Sequence, residues 1–210
     1  MMYTADSPIL GPQTAAMDQM SRYILSRPHG EYTEKDVADV IIPAYVRICL
    51  TVGVDPLIAV AQMIHETGNL TSFWSQRPQR NPAGIGVTGQ SQQQQPVNPR
   101  GWAYNPQRQR WEAGVSFATW TDDAVPAHVG RLLAYALADG SETPPQRELI
   151  AKALSYRPFP GAFRGSAQTI KQLGRVHNPL GARGAGWASP GRNYGEAIAR
   201  IANQVLAVPL

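Results

Sequence analysis

The sequence predicts a mainly helical α+β chain with one small β-hairpin lobe, and three observations predict it. Apolar residues recur at helical spacing before residue 76 and again after residue 120. Between them, residues 76–114 lose that periodicity and are rich in Gly, Pro, Gln, Asn and Arg. Within this stretch GWAYNPQRQRWEAGVSFATW has the look of an irregular hairpin turning near Asn105 and Pro106.

Taken in order, residues 1–12 read as an extended N-terminal tail, because Pro8, Gly11 and Pro12 discourage helix. Residues 13–210 read as a single domain. A first helix is expected over 13–26, stopping before Pro28. Thr33 caps a longer one from about 34 to 52, with Val37, Val40, Ile41, Ala44, Tyr45, Ile48 and Cys49 as its buried stripe. Pro43 inside that stripe predicts a kink.

The next helix has the clearest ends. Asp55 is a good N-cap, Pro56 suits the first helical position, and Gly68 sits where a left-handed C-cap is wanted. Leu57, Ile58, Ala59, Val60, Ala61, Met63 and Ile64 make it apolar on nearly every face, so it belongs inside the protein. After it, QSQQQQPVNPR reads as a mobile low-complexity loop, and VSFATW alternates as a strand does. Thr121, Asp122 and Asp123 are expected to cap a helix running to about 138. Another runs from Pro144 or Pro145 to before Pro158, SAQTIKQLG is a short one, and a last covers 193–207.

Composition narrows the classes. The net charge of +4, from 19 basic and 15 acidic residues, is that of a solvated surface with scattered arginines, and is also compatible with an anionic partner such as a bacterial wall or a nucleic acid. No dense Lys/Arg run supports nucleic acid, and no run approaches a membrane span. The lone Cys49 excludes an internal disulfide and reads as a small core residue. The N-terminus lacks the charged start and apolar core of a signal peptide. An extracellular place of action would then need an export signal removed from this chain, or another route out of the cell, such as a phage lysin takes.

Glu66 is the only carboxylate in the body of its helix. Burial and the negative end of the helix dipole both disfavour its charge and raise its pKa, which is what a general acid needs. The alternative is a solvated Glu turned outward at a helix end. Phe73 and Trp74 come next, then a glycine-rich turn. A carboxylic acid facing aromatics and a polar loop suits a cleft for sugar rings.

AQMIHETGNLTSFW followed by NPAGIG resembles the glucosaminidase family of peptidoglycan hydrolases (mannosyl-glycoprotein endo-β-N-acetylglucosaminidase-like), in the lysozyme-like superfamily. Glu66, Thr67 and Gly68 match that family's helix-ending catalytic motif; Asn81, Gly84 and Ile85 match its Asn-x-x-Gly-Ile loop. The resemblance extends through SFATWTDDAVPAHVGRLLAYA to GWASPGRNYGEAIARIA, covering most of residues 33–207. It implies a lysozyme-like helical domain whose β-hairpin lobe flanks the cleft. It implies hydrolysis of β-1,4 linkages of N-acetylglucosamine in peptidoglycan by a monomer, without cofactor or metal. Glu66 would be the acid, and Trp74, Asn81, Gly84, Ile85, Trp187 and Tyr194 would bind substrate. Trp187 stands where the family commonly has a tyrosine beside the catalytic Glu, and Tyr194 matches a later one.

Glycoside hydrolysis commonly uses a second carboxylate. The family often carries one on the first hairpin strand, but GWAYN has none. Glu112 is the remaining candidate beside Asp122 and Asp123, either facing the cleft or solvated beside Arg108 and Arg110. A single acid also suits a lytic transglycosylase, and loss of the second acid suits an inactive glycan-binding or phage-associated module. Two further motifs fail on context. Gly84, Gly86 and Gly89 spell G-x-G-x-x-G without a preceding strand or following helix, and His65-Glu66 has Asn69 where a zincin needs its second His.

Overall fold

The computed structural model describes residues 2–210; Met1, the first residue of the expected tail, lies outside them. The chain is mainly helical with a small antiparallel sheet, the α+β architecture expected. The helices are α1 (Met17–Leu25), α2 (Ile42–Val52), α3 (Pro56–Thr67), α4 (Val125–Ala136), α5 (Pro144–Tyr156) and α6 (Tyr194–Leu206). The strands are β1 (Ser91–Gln92), β2 (Trp102–Asn105) and β3 (Arg110–Ala113), ordered β1-β3-β2.

α3 is the centre of the core. Every residue from Pro56 to Ile64 is buried, and the helix packs against α1, α2, α4 and α6. Its ends are as its sequence predicts. The Asp55 carboxylate accepts the Leu57 N–H at 2.9 Å, and Gly68 closes the helix at φ 58°.

Two prolines shape the neighbouring helices in the same way. The expected kink at Pro43 is a wide π-turn over Asp36–Ile41, where the Ile42 N–H reaches back five residues to the Val37 carbonyl. A second such turn, Trp120–Ala124, precedes Pro126, with the Val125 N–H bonded to the Trp120 carbonyl. Proline has no N–H and its ring clashes with the carbonyl four residues back, so a widened turn accommodates it without breaking the helix. The second helix starts two residues earlier than its sequence suggests. Thr119, not Thr121, is the cap and accepts the Asp122 N–H at 3.0 Å, while Asp123 accepts from the Thr119 N–H and hydroxyl.

Three other expectations change. VSFATW is not a strand: the Val115 N–H goes to the Ile85 carbonyl and the Phe117 N–H to that of Gln79, so its backbone is spent on the preceding loop. The Gln-rich stretch contributes β1, paired with β3 through Ser91↔Glu112 and Gln92↔Trp111. The N-terminal segment is extended but docked. Ile9 is fully buried, the Asp55 N–H bonds to its carbonyl at 3.1 Å, and the Tyr3 hydroxyl donates to the Asp55 carboxylate. Asn203 of α6 brackets the Tyr3 backbone at 2.8 and 2.9 Å. This segment therefore braces the start of α3.

A loose tail would tolerate truncation, whereas a docked one leaves a cavity. Ile9→Ala is expected to cost about 2–5 kcal/mol in chemical denaturation; a change within ~0.5 kcal/mol, the usual surface value, would mean the segment contributes nothing to the core.

Candidate active site

Glu66 lies in the last turn of α3, half-buried, and its Oε1 accepts a hydrogen bond from the Tyr194 hydroxyl of α6. With the Tyr194 hydroxyl donating to Oε1, the direction of every bond behind it follows. Tyr194 gives its proton to Glu66, so its oxygen accepts the Gln62 amide N–H at 2.8 Å. The Gln62 carbonyl oxygen then faces His128 Nε2 at 2.9 Å, placing the imidazole proton on Nε2. His128 Nδ1 is left to accept from the Tyr45 hydroxyl at 2.7 Å. Gln62, His128 and Tyr45 are fully buried, and Tyr194 is 6% exposed.

Four helices thus contribute to one polar chain in an apolar core: Tyr45 from α2, His128 from α4, Gln62 and Glu66 from α3, Tyr194 from α6. Buried polar groups persist where they are paired, and here each donor meets an acceptor. Gln62 and Glu66 are one helical turn apart and share a face. Desolvation pushes His128 down to about 3, so the imidazole stays neutral, as the chain requires. Desolvation likewise raises the Glu66 carboxyl, and the Tyr194 hydrogen bond offsets part of that rise.

The backbone just past Glu66 is strained. Gly68, Asn69 and Leu70 all have positive φ, at 58°, 60° and 65°. For a buried leucine this conformation costs about 1–2 kcal/mol. The Asn69 amide holds it by donating to the carbonyls of Ile24 and Pro28 at 3.0 and 2.9 Å.

The chain then returns in front of Glu66. Gly84, at φ 62°, lies so that a Cβ there would stand 3.8 Å from Glu66 Oε2. Glycine supplies both the left-handed turn and the open space before the carboxyl. Asn81 holds this loop, its amide donating to the Ile85 and Val115 carbonyls (2.8 and 2.9 Å) and its oxygen accepting from the N–H groups of Ala83 and Ile85. It is fully buried, with its hydrogen bonds spent on the loop, and Ile85 is likewise buried. Residues 83–87 form one wall of a cleft of about 170 Å³, opposite Arg131, Tyr135, Arg157, Gly186 and Trp187.

Trp187 therefore does line the cleft. Its ring packs 5.6 Å from His128 and 5.8 Å from Tyr135. Tyr194, expected to bind substrate, is buried and donates its hydroxyl to Glu66. Trp74 borders a separate groove of about 370 Å³ that meets the cleft at Val87. Its ring covers Gly114, where any Cβ would collide with it. Glu112 lines that groove too, but its carboxylate is tied to Arg108 Nη1 at 3.2 Å, Arg110 Nε at 3.3 Å and the Asn105 amide at 3.4 Å. The geometry favours the hairpin carboxylate over a free cleft base and does not bring it to Glu66. Trp120 is core, its indole N–H bonded to the Tyr32 hydroxyl. Among the described residues no cluster of His, Cys, Asp or Glu is arranged to hold a metal, and no helix is long and apolar enough to cross a membrane.

Sequence reasoning does not single out Gln62, His128, Tyr45, Arg131 or Arg157 for the site. Gln62 alone carries a signal, as a polar residue within an otherwise apolar helix. Because the folded state raises the Glu66 pKa, its stabilising effect is complete below the unfolded value and is lost as pH rises through the folded one. Glu66→Gln keeps the Tyr194 acceptor without the charge. Its melting temperature should exceed wild type by about 2–4 °C at pH 7 (~1 kcal/mol) and by less at pH 3, by calorimetry. A larger gain at pH 3 would contradict the shift.

No family model matches the sequence, and no curated relative does. Among solved structures, the chain is similar to S. aureus autolysin E in complex with a muropeptide. The TM-score is 0.45 at 11% identity, over 98% of this chain and 73% of that one.

Proposed function

We propose that the chain is a peptidoglycan hydrolase of glucosaminidase type, cleaving the β-1,4 linkage after N-acetylglucosamine with Glu66 as general acid. The observation that carries this is the Glu66 carboxyl itself. It lies in the last turn of a helix buried from Pro56 to Ile64, its pKa is raised by burial, a tyrosine hydroxyl orients it, and it lies behind a glycine at a cleft wall. Protonating a glycosidic oxygen needs an acid still protonated near working pH and held within reach of the leaving group. The Gly84 loop and the Trp187 ring shape the cleft, and Trp74 offers a ring face in the adjoining groove. The motif pair around Glu66 and Asn81 points to the same chemistry. Its place of action would be the bacterial wall.

Glu112 is neutralised by two arginines, so no protein nucleophile enters this reading. The substrate's own N-acetyl oxygen then attacks the anomeric carbon as Glu66 protonates the leaving oxygen, and water opens the ring so formed. The same single acid favours a second reading, a lytic transglycosylase, in which a hydroxyl of the cleaved sugar attacks in place of water.

Purified peptidoglycan digested with wild type and with Glu66→Gln, and the soluble products identified by mass spectrometry, separates these. Reducing-end N-acetylglucosamine products from wild type, reduced at least ~100-fold in the variant, are expected. Anhydro-muramyl ends would establish the transglycosylase. Binding by both proteins with no products from either would replace the enzyme with a glycan-binding module.

A further inference from the structure

The cleft before Gly84 carries a charge pattern that acid catalysis by Glu66 does not use. Its far wall includes two arginines, Arg131 of α4 and Arg157 just beyond α5. Arg131 is half-buried, and Nη1 donates to the Arg157 carbonyl at 3.2 Å. Its Cζ lies 5.2 Å from the centre of the Phe159 ring and 5.9 Å from that of Trp187. Arg77, Arg108, Arg110 and Arg164 are each matched to an Asp or Glu. Arg131 and Arg157 make no such pair among the described residues, and the carboxyl nearest their cleft is Glu66, which lies behind Gly84 and is not part of the lining.

A partly desolvated cation without an anion is costly, and that cost is relieved when an anion arrives. Burial disfavours the Arg131 charge, and the neighbouring Arg157 adds to the effect. The planar fork of a guanidinium matches a carboxylate in bidentate fashion. The cleft volume of about 170 Å³ leaves room for a short carboxylate-bearing branch.

We propose that Arg131 and Arg157 form an anion subsite that receives a carboxylate carried by the glycan, next to the sugar whose leaving oxygen Glu66 protonates. This rests on the glycan-cleaving reading above and adds a specificity to it. A neutral N-acetylglucosamine polymer has no group for the subsite, whereas a wall strand has two. One is the lactyl carboxylate of an unsubstituted muramic acid; the other is a carboxylate of the peptide attached there.

The test is calorimetric binding to Glu66→Gln protein, with and without Arg131→Met or Arg157→Met. Three probes are used: an N-acetylglucosamine tetramer, a disaccharide with a free lactyl group, and the same disaccharide extended by a peptide. Each methionine variant should weaken at least one carboxylate probe by about tenfold and leave the tetramer unchanged. The probe that loses affinity identifies the source of the carboxylate. Arg157 is exposed, so its variant serves even where Arg131→Met fails to fold. Equal affinity of parent and variants for all three probes would overturn the subsite alone. Failure of the parent to bind any of them would overturn the glycan reading and the subsite with it.

Discussion

The structure depends on one hydrogen bond, given by the Tyr194 hydroxyl to Glu66 Oε1. Glu66 orients Tyr194, Tyr194 orients Gln62, Gln62 selects the His128 tautomer, and His128 Nδ1 accepts from the Tyr45 hydroxyl. The three links behind Tyr194 are buried, and breaking one leaves a polar group unpaired at a cost of about 1–3 kcal/mol. Four helices are therefore held in one relative position by the chemistry of one side chain. The same enclosure that raises the Glu66 pKa keeps His128 neutral and able to serve as a link.

Both ends of α3 are secured for this purpose. At its start, the N-terminal segment crosses beneath Asp55, and Tyr3 donates to that carboxylate. At its end, three successive left-handed residues turn the chain sharply away, held by the Asn69 amide. Asn81 then ties the returning loop so that Gly84 presents no side chain before Glu66. The π-turns ahead of Pro43 and Pro126 lie on the helices that carry Tyr45 and His128. Those prolines are absorbed within the helices and do not end them.

The features legible in the sequence are local ones. Asp55-Pro56, an apolar run and Gly68 predict α3 and place Glu66 at its end, because caps and burial are read over a few residues. The hairpin near Asn105 and the glycine turn at Gly84 are equally local. The hydrogen-bond chain is not legible: its partners lie 66, 83 and 132 residues apart, and no spacing rule joins them. VSFATW shows the limit of periodicity. Its alternation is that of a strand, yet its backbone bonds go to the Asn81 loop. The N-terminal prolines correctly indicate extended chain, but nothing in them indicates that Ile9 enters the core.

The central claim is that Glu66 is a carboxyl held above its usual pKa by burial and oriented by Tyr194. Its side-chain carboxyl resonance, followed by carbon NMR across pH in wild type and Tyr194→Phe, tests this most directly. Wild type should titrate above the ordinary glutamate range, and Tyr194→Phe higher still, since it loses the hydrogen bond that favours the charged form. A wild-type Glu66 titrating at or below that range, or a Tyr194→Phe value lower than wild type, would contradict the account.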